Sequence, residues 1–339
     1  MSVGIDIGSK TIKAVEVVFE GGKYVFKTAG IIPVPAGVGV DHLQDDKDYA
    51  ALAETIKKLF KDAKFSGKDV SVALPESQVF TRPIKLPLLT DQEIASAIKW
   101  QAEESVPIPI NETIVQHIIV ERKENTTPPE VLVLLVAAPR VLVEKYVKIL
   151  TLAGLNVVGA ETELMAMTRA LAPANQSSII VDFGARSTDI AIVKNTQLVF
   201  SRTIPTAGEA FTRAVSQAIG VDVNQAEEYK KTYGLSGTQL EGKIGNAISP
   251  VFRVVTEEIK KSIHFYQTDQ NEPAPTLIVL SGGTAGLPDA GPTITKLVGI
   301  ETQIANPFAK LAIDPAKFRA LSNYAPLYSV AIGLALRGD

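Results

Sequence analysis

The sequence predicts an α/β protein made of two related halves, with a small α/β subdomain inserted in the first half. An apolar strand, an Asp-x-Gly turn and a second apolar strand occur twice along the chain. A third apolar strand ends in a glycine-rich turn, and a helix, strand, strand, helix pattern lies between about residues 83 and 156. With 339 residues, of which 46% are hydrophobic, the chain is long enough to bury more than one core.

The segment VGIDIGSKTIKAVEVV, residues 3–18, predicts a tight β-hairpin, because two extended runs are separated by about three residues. A glycine in such a turn lets an anion approach, and hydroxyl, lysine and backbone N–H groups surround phosphate oxygens. A carboxylate beside the turn can orient the water shell of magnesium. The residues that offer these groups are Asp6, Gly8, Ser9, Lys10 and Lys13. Taken alone, the segment also fits an ordinary hairpin with solvated lysines.

The same pattern returns in SIIVDFGARSTDIAIV, residues 178–193. The residues expected to take the roles of the aspartate, glycine and serine of the first hairpin are Asp182, Gly184 and Thr188. The strand of TLIVLSGGTAGLPDA, residues 276–290, then runs into a turn whose small residues let the backbone lie against a flat ring or a ribose. These residues are Gly282, Gly283, Thr284 and Gly286.

Taken in order, these elements resemble those of the superfamily of actin, the sugar kinases and the heat-shock chaperones. The resemblance implies an actin-like ATPase fold, in which two ribonuclease-H-like halves surround a nucleotide cleft, with ATP and magnesium as cofactors. DIGSKTIK and DFGARSTD would hold the phosphates, SGGTAGLP the adenosine, and Asp6 and Asp182 would reach the metal through water. The connecting helices would be ETELMAMTRAL and APLYSVAIGLALR, with small Ala331 and Gly333 where helices cross closely.

The segment AEEYK, residues 226–230, resembles the Ala-Glu-x-x-Lys helix with which relatives hold the nucleoside. By that resemblance, Glu227 bonds the ribose hydroxyls and Lys230 lies along the adenine. The i, i+3 spacing places both side chains on one helix face. The pair also fits a solvated ion pair on a helix surface, and the residues alone do not separate the two interpretations.

The inserted segment indicates a branch of this superfamily. LTDQEIASAIKWQAEESVPIP predicts a helix with a capping box at Thr90 and Glu93, two extended runs follow, and RVLVEKYVKILTLAGLNV predicts a helix ended by Gly154. The cell-division protein FtsA has a small subdomain inserted in this half. IKWQAEESVPIPINETI, AAPRVLVEKYVKILTLAGLNVVGAETE and YSVAIGLALR resemble more closely the PilM family of type IV pilus assembly proteins, and this likeness runs from end to end.

The resemblance to the PilM family implies an ATP-binding assembly protein that serves twitching motility. Such a protein holds the cytoplasmic N-terminal peptide of a PilN-like membrane protein in a groove between the first half-domain and the inserted subdomain. Other pilus platform proteins and self-association are further expectations. We therefore expect a cytoplasmic protein that reaches the inner membrane through a partner. The sequence ends at LALRGD, so the C-terminal amphipathic membrane helix of FtsA is not expected.

The same resemblance gives an expected division of the chain. The first half-domain takes residues 1–82 and 157–174, and the inserted subdomain takes residues 83–156. The second half-domain takes residues 175–205 and 271–339, and a helical subdomain takes residues 206–270.

Hydrolysis of ATP is expected to be slow at most. Ala185 and Arg186 stand where actins and kinases have a further acid, a glycine or both, so the second loop lacks turn flexibility and a polar group for the metal shell. Glu161 and Glu163, in the first connecting helix, are the candidates for positioning a water, since phosphoryl transfer mainly demands positioning and charge neutralisation. Both also fit acids on a helix surface.

The partner-binding candidates are Trp100 and Arg82. Trp100, the only tryptophan, lies off the predicted apolar stripe of Ile94, Ile98 and Ala102, so the subdomain core need not cover it. Packing against the first half-domain is the alternative, since large aromatic side chains are usually mostly buried. Arg82 belongs to TRPIKLP, whose prolines predict a strand at a sheet edge, beside which a peptide can lie.

Composition disfavours several other classes of protein. No run reaches the roughly 18 apolar residues of a membrane span, and Asp6 and Lys10 interrupt the apolar region that a signal peptide needs. A net charge of −3 without a long basic run disfavours a nucleic-acid partner. The histidines, expected to be structural or surface residues, are His42, His117 and His264. A filament-forming cytoskeletal or division protein and an actin-like kinase or ATPase remain alternatives, although no sugar-binding motif is evident.

Overall fold

The computed structural model describes residues 1–40 and 43–338. The interpretation of His42 as a structural or surface residue therefore falls outside the described residues. The chain divides into two compact units. The first contains residues 1–169, 197–201 and those from 330 onward, and the second contains residues 170–196 and 202–329.

The described residues form thirteen β-strands and ten α-helices. The strands are β1 (Ser2–Ile7), β2 (Thr11–Glu20), β3 (Lys23–Pro33), β4 (Asp69–Leu74), β5 (Phe80–Pro87), β6 (Thr113–Lys123), β7 (Glu130–Pro139), β8 (Asn156–Thr162), β9 (Ser177–Phe183), β10 (Thr188–Lys194), β11 (Gln197–Ile204), β12 (Leu277–Ser281) and β13 (Glu301–Ile304). The helices are α1 (Asp46–Asp62), α2 (Asp91–Ser105), α3 (Arg140–Leu152), α4 (Glu163–Leu171), α5 (Gly208–Ile219), α6 (Val223–Tyr233), α7 (Lys243–Asp269), α8 (Ala290–Val298), α9 (Pro315–Leu321) and α10 (Ser329–Ala335).

The first unit contains a five-stranded sheet in the order β3-β2-β1-β4-β8. β1 and β2 form the predicted antiparallel hairpin, and the Gly8 N–H closes its turn by donating to the Thr11 carbonyl at 3.1 Å. β4 lies parallel to β1, and β8 lies parallel to β4. The residues that follow these three strands therefore share one end of the sheet.

One core of this sheet is built from β1, β4, α1 and α3. Alternate residues of each strand point to the helices, and the helices contribute their apolar stripes. Fully buried members of this core include Val3, Ile5, Val70, Val72, Leu52, Ile56, Ile149 and Leu150. The sequence pattern assigned α3 to the inserted subdomain, and the structure corrects this, because the buried stripe of α3 lies in the core of the first sheet. The predicted end of α3 at Gly154 is confirmed by the positive φ of +79° at that residue.

A close crossing joins α4, α10 and β1. A β-carbon added at Gly333 of α10 would overlap the carbonyl oxygen of Ala166 in α4, and one added at Gly4 of β1 would overlap the carbonyl oxygen of Ala331. The guanidinium of Arg169 donates to the Gly333 carbonyl at 2.7 Å and fixes the crossing. The prediction that small residues let these helices cross closely is confirmed.

The inserted segment forms a three-stranded antiparallel sheet in the order β5-β7-β6, with α2 packed on one face. Thr90 and Glu93 exchange the hydrogen bonds of the predicted capping box at the start of α2. The predicted stripe is buried, and its members are Ile94, Ile98 and Ala102. Within the described residues β5 pairs with β7 alone, so this proline-containing strand lies at the edge of its sheet, as predicted.

A second five-stranded sheet has the order β11-β10-β9-β12-β13, and β9, β10, β12 and β13 belong to the second unit. β9 and β10 form the second predicted hairpin, and the Gly184 N–H donates to the Ser187 carbonyl at 3.1 Å. This bond repeats the turn of the first hairpin at the same place in the pattern. Phe183 of β9 packs with Phe211 of α5 and Phe252 of α7, so an aromatic cluster holds the helices against the end of β9.

The predicted half-domain boundaries stay predictions, although several features differ from them, including the grouping of residues 197–201 with the first unit and of residues 170–174 with the second. The residues from Val330 onward group with the first unit, whereas the prediction placed 271–339 in the second half-domain. The small sheet begins at Phe80, three residues before the predicted start of the inserted subdomain. None of the helices that the structure describes is long and apolar enough to span a membrane.

Replacing Gly333 by Ala should lower the free energy of unfolding by about 1–3 kcal/mol, because the new methyl group meets the backbone of α4, which cannot rotate away. Urea denaturation of the purified protein measures this change. Gly237→Ala is the matched control, since an added β-carbon there has no neighbour within 4 Å and should change the stability by about 0.5 kcal/mol or less. Equal stabilities of the two variants would contradict the close crossing.

Candidate functional site

In the first hairpin, Asp6 and Lys13 face each other across β1 and β2. The Lys13 ammonium donates to Asp6 Oδ2 at 2.9 Å, and both side chains are mostly buried. A β-carbon added at Gly8 would lie 3.3 Å from Lys13 Nζ. Because glycine has no β-carbon, a narrow space beside this ammonium stays open. The two turn residues Ser9 and Lys10 are exposed beside the pair. The five predicted residues of this hairpin therefore lie together, with one buried charge pair and an exposed polar turn.

In the second hairpin, Asp182 faces Asp189 across β9 and β10, and it lies beside Ser281 of the neighbouring β12. Asp189 is buried and was not among the predicted site residues. Its signal in the sequence is its spacing of seven from Asp182, which is the spacing that separates Asp6 from Lys13. The two hairpins thus share a register but differ in charge at one position.

Burial raises the pKa of Asp189, although the hydroxyls of Thr203 and Ser187 act in the opposite direction by donating to its carboxylate. Thr203 donates to Oδ1 at 2.5 Å and Ser187 donates to Oδ2 at 3.0 Å. The carboxylate of Asp6 is paired with an ammonium, whereas that of Asp189 accepts hydrogen bonds from two neutral hydroxyl groups. The ionised form of Asp189 is therefore costly to bury.

Thr188 does not hold the place that Ser9 holds. The register sets Thr188 opposite Phe183, which corresponds to Ile12 opposite Ile7 in the first hairpin. Its hydroxyl is buried and donates to the Thr206 carbonyl at 2.7 Å. The predicted equivalence of the two hydroxyls is therefore wrong, because the repeat places Thr188 on a strand and Ser9 in a turn.

The glycine-rich turn after β12 is fastened to the end of β9. Gly282 has a φ of +86°, and a β-carbon there would overlap Asp182 Oδ1. Thr284 donates twice, from its N–H to the Phe183 carbonyl at 3.0 Å and from its hydroxyl to the Gly184 carbonyl at 3.1 Å. Gly286, by contrast, has no atom within 4 Å of an added β-carbon. The turn is thus tightly held at Gly282 and Thr284 and open at Gly286. Gly283 is exposed.

The predicted pair on α6 is not a solvated ion pair. Lys230 is buried, and its ammonium donates to Glu227 Oε2 at 2.7 Å, to the Thr212 hydroxyl at 3.0 Å and to the Gly208 carbonyl at 3.1 Å. Thr212 and Gly208 belong to α5, so the lysine joins two helices. The Glu227 side chain is only 35% exposed. The structure therefore excludes the interpretation of Glu227 and Lys230 as a solvated ion pair on the helix surface.

Glu227 is held as a carboxylate. Burial raises its pKa, but hydrogen bonds from Lys230 and Thr212 and the charges of Lys230 and Lys231 outweigh this effect and leave the pKa below its ordinary value. One carboxylate oxygen, Oε2, receives both hydrogen bonds. The other, Oε1, lies 3.5 Å from the exposed Lys231 ammonium. A polar ligand on this side would meet an ionised acceptor.

The two acids proposed to position water lie in different elements. Glu161 is in β8 rather than in the connecting helix, and the Arg169 guanidinium donates to both of its oxygens at 2.6 and 2.7 Å. Glu163 is the first residue of α4, and its Oε2 accepts from the Glu76 N–H at 3.2 Å. Neither is a solvated acid on a helix surface, because Glu161 is buried and Glu163 is half-buried. The structure gives Glu161 a buried ion pair that ties β8 to α4.

Trp100 is 77% exposed on α2, and Ile98 and Ala102 point the opposite way into the small sheet. The alternative in which it packs against the first half-domain is therefore wrong. Arg82 of β5 donates to the Ser105 hydroxyl at 3.0 Å and ties the edge strand to the end of α2. An exposed tryptophan is costly to keep in water and is typical of a binding surface.

The described residues contain no group of three or more His, Asp or Glu side chains that could hold a metal ion directly. The predicted magnesium contacts of Asp6 and Asp182 run through water and lie in different units, so they stay predictions.

Comparison with known proteins now identifies the family. A profile of the type IV pilus assembly protein PilM matches residues 4–339. This chain belongs to the PilM family. Among solved structures, a PilM-PilN type IV pilus biogenesis complex contains a chain that is 29% identical to this one, with a TM-score of 0.84 and coverage of 99% of this chain and 98% of that chain.

More distant relatives have the actin-like fold. EutJ from Carboxydothermus hydrogenoformans is 19% identical, with a TM-score of 0.58 and coverage of 99% of this chain and 89% of that chain. MreB5 of Spiroplasma citri bound to ADP is 16% identical, with a TM-score of 0.53 and coverage of 98% and 94%. The cell-division protein FtsA of Streptococcus pneumoniae is 23% identical over 348 residues, which is 90% of this chain and 75% of that protein. Thus the actin-like fold predicted from the paired hairpins is confirmed.

Replacing Asp189 by Asn tests the charge difference between the hairpins. The raised pKa means that the native state holds the proton more tightly than the unfolded chain, so this contribution to stability is complete below the ordinary pKa of 3.8 and is lost as pH rises through the native value. An amide carries no charge, so the Asn variant should gain stability relative to the parent across this window, by about 1.4 kcal/mol per unit of pKa difference. Urea unfolding from about pH 4 to pH 8 measures the gap; a gap that is constant with pH would contradict the assignment.

Proposed function

We propose that this chain is an ATP-binding assembly component of the type IV pilus machinery that holds the cytoplasmic N-terminal peptide of a PilN-like membrane protein. The observation that carries this proposal is the likeness, over 99% of the chain, to a protein from a PilM-PilN complex. An identity of 29% with a TM-score of 0.84 covers the inserted segment as well as the two sheets, so the likeness extends beyond the common actin-like core.

ATP with magnesium is the proposed cofactor, and the donor groups of each unit suit it. In the first unit, the exposed turn of Ser9 and Lys10 offers N–H, hydroxyl and ammonium groups to phosphate oxygens beside Asp6 and Lys13. In the second unit, the open side of the turn at Gly286 leaves room for a flat ring or a ribose. Bound magnesium would neutralise the phosphate charge.

The residues of the second unit perform the recognition in this proposal. Glu227, held as a carboxylate, accepts hydrogen bonds from ligand hydroxyls. Thr284 keeps the glycine-rich turn against the end of β9, so that this surface is rigid before a ligand binds. Asp182 lies under the same turn and would orient water around the metal.

Peptide binding is proposed for the inserted subdomain. Trp100 offers a large exposed aromatic surface, and β5 offers an unpaired strand edge on which an extended peptide can form backbone hydrogen bonds. Arg82, which lies on that edge strand, supplies an exposed cation. The nucleotide state would set how well the peptide is held. This arrangement would place the protein at the cytoplasmic face of the inner membrane, through its partner and beside other pilus platform proteins.

An enzyme of high turnover is the second candidate, and two observations oppose it. Ala185 and Arg186 occupy the second turn in place of an acid or a glycine. The Arg169 guanidinium bonds both oxygens of Glu161 and offsets the charge with which this carboxylate would orient a water. A filament-forming protein is the third candidate, which the fold alone does not exclude, since MreB shares it.

Asp6→Asn and Asp182→Asn should each reduce the thermal stabilisation by ATP and magnesium by more than half, because both carboxylates lose the charge that orients the metal shell. A ligand at about one hundred times its Kd stabilises by about 2.7 kcal/mol, so the shift is measurable by differential scanning fluorimetry. The ligand-induced shift is compared with each variant's own unliganded Tm, since Asp6→Asn also weakens the Lys13 pair. Asp62→Asn, an exposed carboxylate of α1, is the control; unchanged shifts in both test variants would sink the proposed roles.

Purified protein should release phosphate from ATP far more slowly than the median enzyme rate of about 10 per second. It should also remain in the supernatant on sedimentation with ATP and magnesium. Turnover near that median rate would favour the enzyme, and pelleting that depends on ATP would favour the filament.

A peptide from the cytoplasmic N-terminus of a PilN-like membrane protein should change the fluorescence of Trp100, the only tryptophan of the chain. Trp100→Ala should weaken binding measured by calorimetry by about thirtyfold or more, since a central aromatic anchor contributes about 2 kcal/mol or more. Lys99→Ala, the exposed neighbour on α2, should bind like the parent. Equal affinities of the parent and the Trp100 variant would show that the anchor lies elsewhere.

A further inference from the structure

A buried polar cluster joins α5 to α6 in the second unit. Its members are the Gly208 carbonyl, the Thr212 hydroxyl, the Glu227 carboxylate and the Lys230 ammonium. Thr212 and Lys230 are 3% and 5% exposed. The sequence pattern predicts roles for Glu227 and Lys230, whereas the contacts of Thr212 are seen only in the structure.

Hydrogen bonds link the four members of this cluster to one another. Lys230 donates three hydrogen bonds, which matches the three N–H groups of an ammonium. The Thr212 hydroxyl accepts one of them and donates its single hydrogen to Glu227 Oε2 at 2.5 Å or to the Gly208 carbonyl at 2.9 Å. Thr212 and Lys230 therefore each contact all three other members, and Thr212 contributes the hydroxyl that bonds the carboxylate.

We propose that Thr212 is a positioning residue that aims Glu227 Oε1 at the hydroxyl groups of a bound ribose, and that it thereby sets the preference for ribonucleotides over 2′-deoxyribonucleotides. This inference rests on the proposed function, because it assumes that a nucleotide binds beside α6. Lys230 and Thr212 hold Oε2 of Glu227, which fixes the rotation of the carboxylate and leaves Oε1 beside the exposed Lys231 ammonium.

The base of the cluster is rigid, which gives the carboxylate a fixed reference. A β-carbon added at Gly208 would lie 2.6 Å from the Thr284 hydroxyl and 3.3 Å from the Gly184 carbonyl. The Gly208 N–H also donates to the Gly184 carbonyl at 3.2 Å. The start of α5 is thus packed against both glycine turns, and Thr212 lies one helical turn further along. Glu227 is positioned relative to those turns through Thr212.

The test measures the Kd values of ATP and 2′-deoxyATP, each with magnesium, by calorimetry. The parent should prefer ATP, and Thr212→Val, which removes the hydroxyl but keeps the shape, should lose about tenfold of that preference, since a hydrogen bond to a charged group is worth about a factor of ten or more. Thr212→Ser restores the hydroxyl and should keep the preference. A merely structural role would weaken both ligands equally and leave their ratio unchanged.

Glu227→Gln supplies the second arm and keeps the proposal falsifiable if Thr212→Val does not fold. Glu227→Gln alone should lose the preference, and Thr212→Ser in that background should leave the ratio where Glu227→Gln puts it. A parent that binds neither nucleotide would overturn the proposed function together with this inference. A parent that binds ATP but shows no preference, or a preference that survives in Thr212→Val or in Glu227→Gln, would overturn the inference alone.

Discussion

The first unit depends on backbone-to-backbone packing between its last helix and its first strand. Because Gly4 and Gly333 lack β-carbons, α10 lies directly on β1 and on α4, and nothing larger than hydrogen fits at either contact. Arg169 then joins the Gly333 carbonyl to the Glu161 carboxylate, so β8, α4 and α10 are held by one guanidinium. The hairpin that carries Asp6 is consequently supported by residues from the far end of the chain.

The second unit relies on buried polar groups rather than on close glycine contacts alone. Lys230 donates to the Gly208 carbonyl, to the Thr212 hydroxyl and to the Glu227 carboxylate. These three hydrogen bonds, one of them to an opposite charge, offset the cost of burying the ammonium. Removing one member would leave a buried charge or donor without its partner, which costs more than the bond itself is worth. Such a cluster keeps two helices in one relative position, and this rigidity suits a binding surface that is formed before its ligand arrives.

Most of the fold follows from the sequence, because the hairpins, the capped helix and the small residues of α10 are local patterns with one physical explanation each. Two kinds of information were missing. The assignment of α3 needed tertiary packing, since an apolar stripe shows that a helix is buried but not against which sheet. Thr212 needed three-dimensional contacts, because a threonine within a helix carries no motif. Asp189 was marked only by its spacing from Asp182, and its burial and hydroxyl partners needed the structure. Glu161 was placed in the wrong element for a related reason, as boundaries between a strand and the next helix are weakly encoded.

The two hairpins show how one backbone pattern supports different electrostatic roles. Both have the same turn bond and the same register, but the residue opposite the aspartate is Lys13 in the first and Asp189 in the second. In the first, the ammonium of Lys13 neutralises the carboxylate of Asp6. In the second, two carboxyl groups face each other across the strands, and burial already disfavours the ionised form of Asp189. A divalent cation near Asp182 would relieve that cost, whereas an anion would increase it. The sequence repeat therefore places two different electrostatic environments on one backbone pattern, a neutralised ion pair in the first hairpin and a pair of facing carboxyl groups in the second.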